Sequence, residues 1–290
     1  MTPETICIVG GRGRMGSLMA RFFEEAGHHV VLADHLDGPI SWSEVAHHPV
    51  IILAVPIPSI EPVLEQLGPL TRPDGAVIDI ASVKQGPVQA MLRSCRGEVI
   101  GCHPLFGPCT QSLRNEIVFV CPTRSHGWID WFRSFLEDRA AEVIDIHPQE
   151  HDELMASVQV LRHLLLLCFG QTLKRMEFDL ARNLPRSGRW FTGLVAMLRR
   201  QMEQMPELYA DLAFHNPASE DVIERFLESA EDVCFAYGSH DRARLVGFIS
   251  EVAGYLNNNL GEDCTKPKPE ADHAASSLRS REKLCGMVVL

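Results

Sequence analysis

The chain has 290 residues, of which 46% are apolar, 22% charged and 7% aromatic; this is ordinary globular composition, with material for a large core and more length than one domain usually needs. Twenty-seven basic residues against 38 acidic ones leave a net charge of −11, the wrong sign for a general nucleic-acid binder. Any anionic ligand must be held by local cations working against the global field.

No uninterrupted apolar run reaches the roughly 18–20 residues that span a bilayer. The N-terminus, MTPETICIVGG, has neither a basic flank nor a cleavable apolar stretch, so neither a membrane partner nor a signal peptide is expected. Nine cysteines, at 7, 95, 102, 109, 121, 168, 234, 264 and 285, form no CxxC pair and read as reduced thiols of a cytoplasmic protein.

Short β-rich runs at 5–9, 29–33, 50–55, 76–80, 99–102, 117–121 and 141–146 alternate with helical patterns such as 15–26, 57–67 and 128–137. Most of the runs are nearly unbroken apolar, as expected for strands covered by helices on both faces. Residues 1–150 are therefore expected to form an α/β domain, a doubly wound, mostly parallel Rossmann-type sheet. From 151 to 260 the pattern is helical throughout, with breaks at Pro185, Ser187, Pro206 and Gly238. This second, all-α domain carries more apolar surface than a lone bundle would bury, and a homodimer through it is expected. Residues 261–290 are polar, proline-bearing and non-periodic, and are expected to be disordered.

The first strand runs straight into Gly10-Gly11-Arg12-Gly13-Arg14-Met15-Gly16 and then a helix. The spacing Gly11-x-Gly13-x-x-Gly16 in that context is the dinucleotide fingerprint. Gly11 is assigned the tight turn, Gly13 the backbone approach to a pyrophosphate, and Gly16 the close helix–strand contact; Arg12 and Met15 flank the same loop. Asp34 ends the second strand, 18 residues beyond Gly16. Its carboxylate suits the ribose hydroxyls and repels a 2′-phosphate, which favours NAD over NADP.

Strand three ends in Ala54-Val55-Pro56, where Val55 and Pro56 would wall the cofactor, and strand four leads to Ser82 and Lys84. Strand five ends in GCHPLFGP; its His103 is well placed for proton transfer near neutral pH. The histidine pairs 28–29 and 47–48, and His147 with His151, complete no zinc-ligand pattern, so no metal is expected. His151-Asp152 is taken as the opening of the long helix, with its acid in the first turn.

The motifs GGRGRMG, VIILAVPI, IDIASVK, GCHPLFGP, EHDELMASVQVLRH and PELYADL, in this order over roughly residues 5–260, resemble the prephenate and arogenate dehydrogenase family. The resemblance implies an NAD-dependent oxidative decarboxylation: hydride leaves the ring carbon bearing a hydroxyl or amine, the ring carboxylate departs as CO2, and an aromatic (4-hydroxyphenyl)pyruvate-type product remains. It further implies that His103 takes the hydroxyl proton, that Ser82 orients the imidazole or the substrate, that Lys84 adds positive potential, and that Gln159 and His163 face the substrate. Arg162 beside them reads as ligand or structural ion pair. The family's substrate-clamping arginine falls on Thr192 here; Arg189, one helical turn earlier, or Arg186 would replace it. That departure, with Cys109 after HPLFGP, suggests a specialised member acting on 4-amino-4-deoxyprephenate, or a catalytically weak regulatory homologue. A β-hydroxyacid dehydrogenase shares the opening motif but needs a lysine on a glycine-rich helix, where this chain offers only Lys174.

Overall fold

The structure, a computed structural model, describes residues 4–260; the tail expected to be disordered, with Cys264 and Cys285, lies outside the described residues. Seven strands form one sheet in the order β2-β1-β3-β4-β5-β6-β7: β1 (Thr5–Val9), β2 (His29–Ala33), β3 (Val50–Leu53), β4 (Ala76–Asp79), β5 (Glu98–Pro104), β6 (Ile117–Arg124) and β7 (Glu142–Asp145). The first five are parallel; β6 runs antiparallel to β5, and β7 is parallel to β6. Helices α1 (Arg14–Glu25), α2 (Trp42–Ala46), α3 (Ile60–Leu67), α4 (Gln85–Ser94) and α5 (Trp128–Glu137) connect the strands.

The period-2 alternation of strand side chains divides the core between the two faces. On one, Ile6, Ile8, Ile52, Ile78 and Ile100 pack with Phe22 and Phe23 of α1 and Phe132 and Phe135 of α5. On the other, Cys7, Val9, Ile51, Leu53, Val77 and Val99 meet α2, α3 and α4. Strand order reverses between β1 and β3, so a crevice opens at their carboxyl ends. Because β1, β3, β4 and β5 are parallel, the segments that follow them all emerge at that same edge.

Beyond the sheet lie α6 (Pro148–Met155), a π-helical turn (Ala156–Leu161), α7 (Arg162–Arg175), α8 (Leu180–Asn183), α9 (Arg189–Met202), α10 (Pro206–His215), α11 (Ser219–Gly238) and α12 (Arg242–Asn259). The chain forms two compact units, Met1–Phe226 and Leu227–Leu290. Within the first, hydrogen bonds join helix to sheet. Asp152 of α6 accepts from the backbone of α4, and Asn216, after α10, donates to the Asp152 carbonyl oxygen. The early helices are thereby tied to the sheet. In the second unit Asp241 caps α12 by accepting from the Arg244 amide, and α12 exposes Val246, Ile249, Val252 and Leu256.

One difference concerns α6, the π turn and α7, which run as a single helix, Pro148–Arg175, long and apolar enough by length and composition to cross a membrane. His163 interrupts the leucine run, so no uninterrupted apolar stretch of that length stands in the sequence. Of its most apolar window 22% is buried inside the protein; Met155, Ala156, Val160 and Leu166 are core, while Leu165 and Leu167 are exposed.

Candidate active site

The turn after β1 is made at Gly10, not at Gly11. Gly10 has φ of 77°, the left-handed region where only glycine is unstrained, and a Cβ there would stand 2.5 Å from the Ala54 carbonyl oxygen. Gly11 needs no such freedom; a side chain on it would collide with Leu32 of β2. Gly13 is the extended N-cap of α1, which has no side-chain cap. The first-turn N–H groups are therefore free to meet an anion, with the helix dipole behind them. A Cβ on Gly16 would collide with the Gly10 carbonyl oxygen, and Met15 is half-buried beside it. Val55 borders the loop from β3, with a methyl 3.0 Å from the position of a Gly10 Cβ, and Pro56 is exposed next to it.

Asp34 is 6% exposed. Its Oδ2 accepts from the Arg12 amide at 3.0 Å and its Oδ1 from the Leu36 amide at 3.1 Å. His35 Nδ1 also lies 3.2 Å from Oδ1, whereas Oδ2 keeps a lone pair for a further donor. A cavity of about 230 Å³ opens beside it, lined among others by Val31, Asp34, Asp37, Ile40, Ser41 and Glu44. A glycine turn leading to an uncapped helix N-terminus and an acidic cavity beside the end of β2 are thus both present.

His103 stands next to last on β5, paired in register with Phe119 of β6, and is 2% exposed. Its Nδ1 lies 2.8 Å from His151 Nε2, and His151 Nδ1 lies 2.8 Å from Asp152 Oδ1. Asp152 Oδ1 also accepts from the Lys84 amide at 2.7 Å, and Oδ2 from the Gln85 amide at 2.9 Å. His151 and Asp152 are fully buried. The chain of bonds determines the protons. A carboxylate only accepts, so His151 Nδ1 donates and its Nε2 accepts; His103 Nδ1 must then donate, which leaves the lone pair on Nε2. That nitrogen has no protein partner among the described residues and is not among their sealed, unpartnered atoms. Burial, then the neighbouring His151 and Lys84, hold the His103 imidazole well below its usual range. His151 is also lowered, chiefly by burial. Both rings are neutral near pH 7.

Ser82, expected to orient the imidazole or the substrate, is half-buried; the Nδ1 of His103 is held by His151. His151-Asp152 lies within α6, which starts at Pro148, and supports the candidate base; the Asp152 carboxylate caps α4 rather than its own helix. Lys84 does not reach the crevice. It is fully buried, ion-paired with Asp79, and its Nζ donates to the Cys102 carbonyl oxygen at 2.8 Å. Burial raises the Asp79 carboxyl, against the pull of Lys84. Lys84 thus acts on His103 through the field and by holding the adjacent residue of β5.

A second cluster is built on the same long helix. Gln159 sits in the π-helical turn, a feature that recurs at functional sites, and its Oε1 is buried without a partner. Arg162 donates to His163 Nε2 at 2.8 Å, and the Tyr209 ring lies edge-on to His163 with centroids 4.4 Å apart. Burial and Arg162 lower His163 to about 4. Gln201, in no motif of the sequence, donates to the His163 carbonyl oxygen at 3.2 Å and buries an unpartnered Oε1. Arg162 has no acidic partner among the described residues, so it is not the structural ion pair considered above. Arg186 and Arg189 are exposed, and Arg189 lies over the ring of its neighbour Trp190, 5.7 Å from the centroid. Thr192 bonds the Gly188 carbonyl oxygen.

Two family models match the chain: prephenate dehydrogenase, nucleotide-binding domain, over residues 21–145, and prephenate dehydrogenase, dimerization domain, over 147–251. The T-protein of Enterobacter agglomerans is 31% identical over 89% of this chain and 70% of its own length. A probable arogenate/prephenate dehydrogenase of Methanocaldococcus jannaschii is 29% identical over 98% of this chain and 67% of its own. The 4-amino-4-deoxyprephenate dehydrogenase of Streptomyces pristinaespiralis is 25% identical over 88% and 92%. The crystal structure of the A. aeolicus prephenate dehydrogenase in complex with hydroxyphenyl propionate and NAD+ shares the fold, with a TM-score of 0.69 at 20% identity, over 89% of this chain and 99% of that one. The chain belongs to the prephenate dehydrogenase family.

Proposed function

We propose that the chain catalyses the NAD-dependent oxidative decarboxylation of a prephenate-type cyclohexadienyl acid. The observation that carries this reading is the free lone pair at His103 Nε2, oriented through His151 by Asp152 at the sheet edge where the glycine loop emerges. NAD+ held by the uncapped α1 N-terminus and Asp34 supplies the hydride acceptor. His103 Nε2 accepts the proton of the ring hydroxyl as the C–H bond breaks, and carbonyl character develops at that carbon. Loss of the ring carboxylate as CO2 returns two electrons to the ring, and the phenolic oxygen recovers the proton from His103. Gln159 and His163 are assigned to the substrate. Arg162, the cation beside them with no carboxylate partner among the described residues, is preferred to Arg189 or Arg186 for the substrate's carboxylate.

Purified chain incubated with NAD+ and, separately, prephenate, arogenate and 4-amino-4-deoxyprephenate tests the reading by coupled release of NADH and CO2. Prephenate is expected to turn over fastest, and no NADH with any of the three overturns the proposal. Thr192, in place of the family's arginine, favours the aminated substrate as a second reading.

We further propose a cytoplasmic homodimer. The helical half matches a dimerization domain, and apolar residues on α7 and α12 are exposed. Buried free thiols at Cys7, Cys95, Cys102 and Cys121 suit a reducing compartment.

A further inference from the structure

Arg12 stands in the glycine loop at the ribose end of the nucleotide site, yet its guanidinium is already engaged. Nε donates to Asp37 Oδ2 at 3.0 Å and Nη2 to Asp37 Oδ1 at 2.9 Å, the two-pronged geometry with which arginine binds carboxylates and phosphates alike. The backbone N–H of the same residue donates to Asp34, so both ends of Arg12 are held by acids from the segment after β2. Asp34 and Asp37 line the same cavity as Glu44, and no lysine or arginine lines it.

We infer that Asp37 is a specificity-determining residue that, by latching Arg12, withholds that guanidinium from a 2′-phosphate. This rests on reading the glycine loop as the NAD site. Asp34 by itself repels the phosphate. Asp37 adds a second negative charge and occupies the fork that would otherwise neutralise one. A dinucleotide with a free 2′-hydroxyl needs neither group to move. The Asp37 carboxyl, held low by the Arg12 hydrogen bonds, stays charged throughout the neutral range. The latch is exposed on both sides, with side-chain exposures of 51% and 45%, so opening it is cheap. A single substitution should therefore act on ligand choice and leave the fold intact.

The test is a titration of the full chain with NADH and with NADPH, read by quenching of protein fluorescence, which needs no turnover. Asp37→Asn is expected to lower the ratio of the NADPH to the NADH dissociation constant by about 5- to 10-fold, the scale of one exposed charge-assisted interaction. Asp34→Ser combined with Asp37→Asn should lower it by more than the product of the single effects, because both acids hold Arg12. Arg12→Gln added to Asp37→Asn should restore the wild-type ratio. An unchanged ratio in Asp37→Asn, with NADH still bound, overturns the latch. So does a gain that survives loss of Arg12, which would reduce the effect to the removed charge. If the wild-type chain binds neither dinucleotide, the cofactor-site reading itself falls, an outcome distinct from both.

Discussion

His103 Nδ1 and His151 Nε2 face each other at 2.8 Å, and His151 in turn faces Asp152 at the same distance; three residues on two elements thus determine which nitrogen of His103 carries a proton. Replacing Asp152 by Asn removes the negative charge behind His151 and sets an amide NH2 against the backbone N–H of Gln85 or Lys84, so the support that fixes the series is weakened. Asp152→Asn and His103→Asn are both expected to lower kcat by roughly 10²–10⁴-fold. NADH affinity should be retained in His103→Asn. Turnover within a few-fold of wild type in either variant removes the assigned base.

His151 touches neither crevice nor cofactor loop in this arrangement and acts by positioning. His151→Asn keeps an acceptor for His103 Nδ1, whereas His151→Leu does not. The Asn variant should retain about tenfold more kcat than the Leu variant, the scale of one buried hydrogen bond. Only the Leu variant should shift the acid limb of its pH profile, since its His103 loses a fixed tautomer. Equal losses and unshifted profiles in both would indicate packing alone.

The pH dependence follows from the direction of the shifts. A base must be neutral to accept a proton, and His103 is held well below its ordinary value by burial, His151 and Lys84. The acid limb of kcat is therefore expected below pH 6.5, and a limb at or above that value contradicts the assignment. Stability has the same sign. His103, His151 and His163, the last at about 4, are depressed in the folded state, so the unfolded chain binds more protons as pH falls. Stability is full above the unfolded value near 6.5 and declines below it, by about 1.4 kcal/mol per pH unit for each linked proton. Thermal melts between pH 7.5 and about 5 should show a falling Tm.

Arg162→Ala should raise KM for the substrate by at least about tenfold with a smaller effect on kcat, the pattern of lost ground-state binding. Arg189→Ala, whose guanidinium lies over Trp190, should change KM less. The reverse order would return the clamp to Arg189. At the cofactor end, Gly16→Ala drives a Cβ into the Gly10 carbonyl oxygen and should abolish NADH binding, as read by fluorescence quenching.

The local order of the chain was legible in its residues. Seven apolar runs became seven strands with ends shifted by a few residues, because a strand covered on both faces must be apolar throughout, and Asp34 could be located by counting from Gly16. Which glycine makes the turn could not be counted: Gly10 and Gly11 are chemically identical, and only the nearness of Ala54 on β3 decides between them. The same holds for charge. Lys84 and Arg189 are cations to a sequence, but one is spent on Asp79 inside the core and the other lies over its own neighbour. His151 and Asp152 were hidden for a different reason. Their adjacency follows helix grammar, and their value comes from His103, 48 residues earlier. Residue types and spacing thus determined the strands, the nucleotide loop and the candidate base. Packing between elements distant in sequence decided the state of that base, since hydrogen-bond direction and desolvation depend on which groups meet in space.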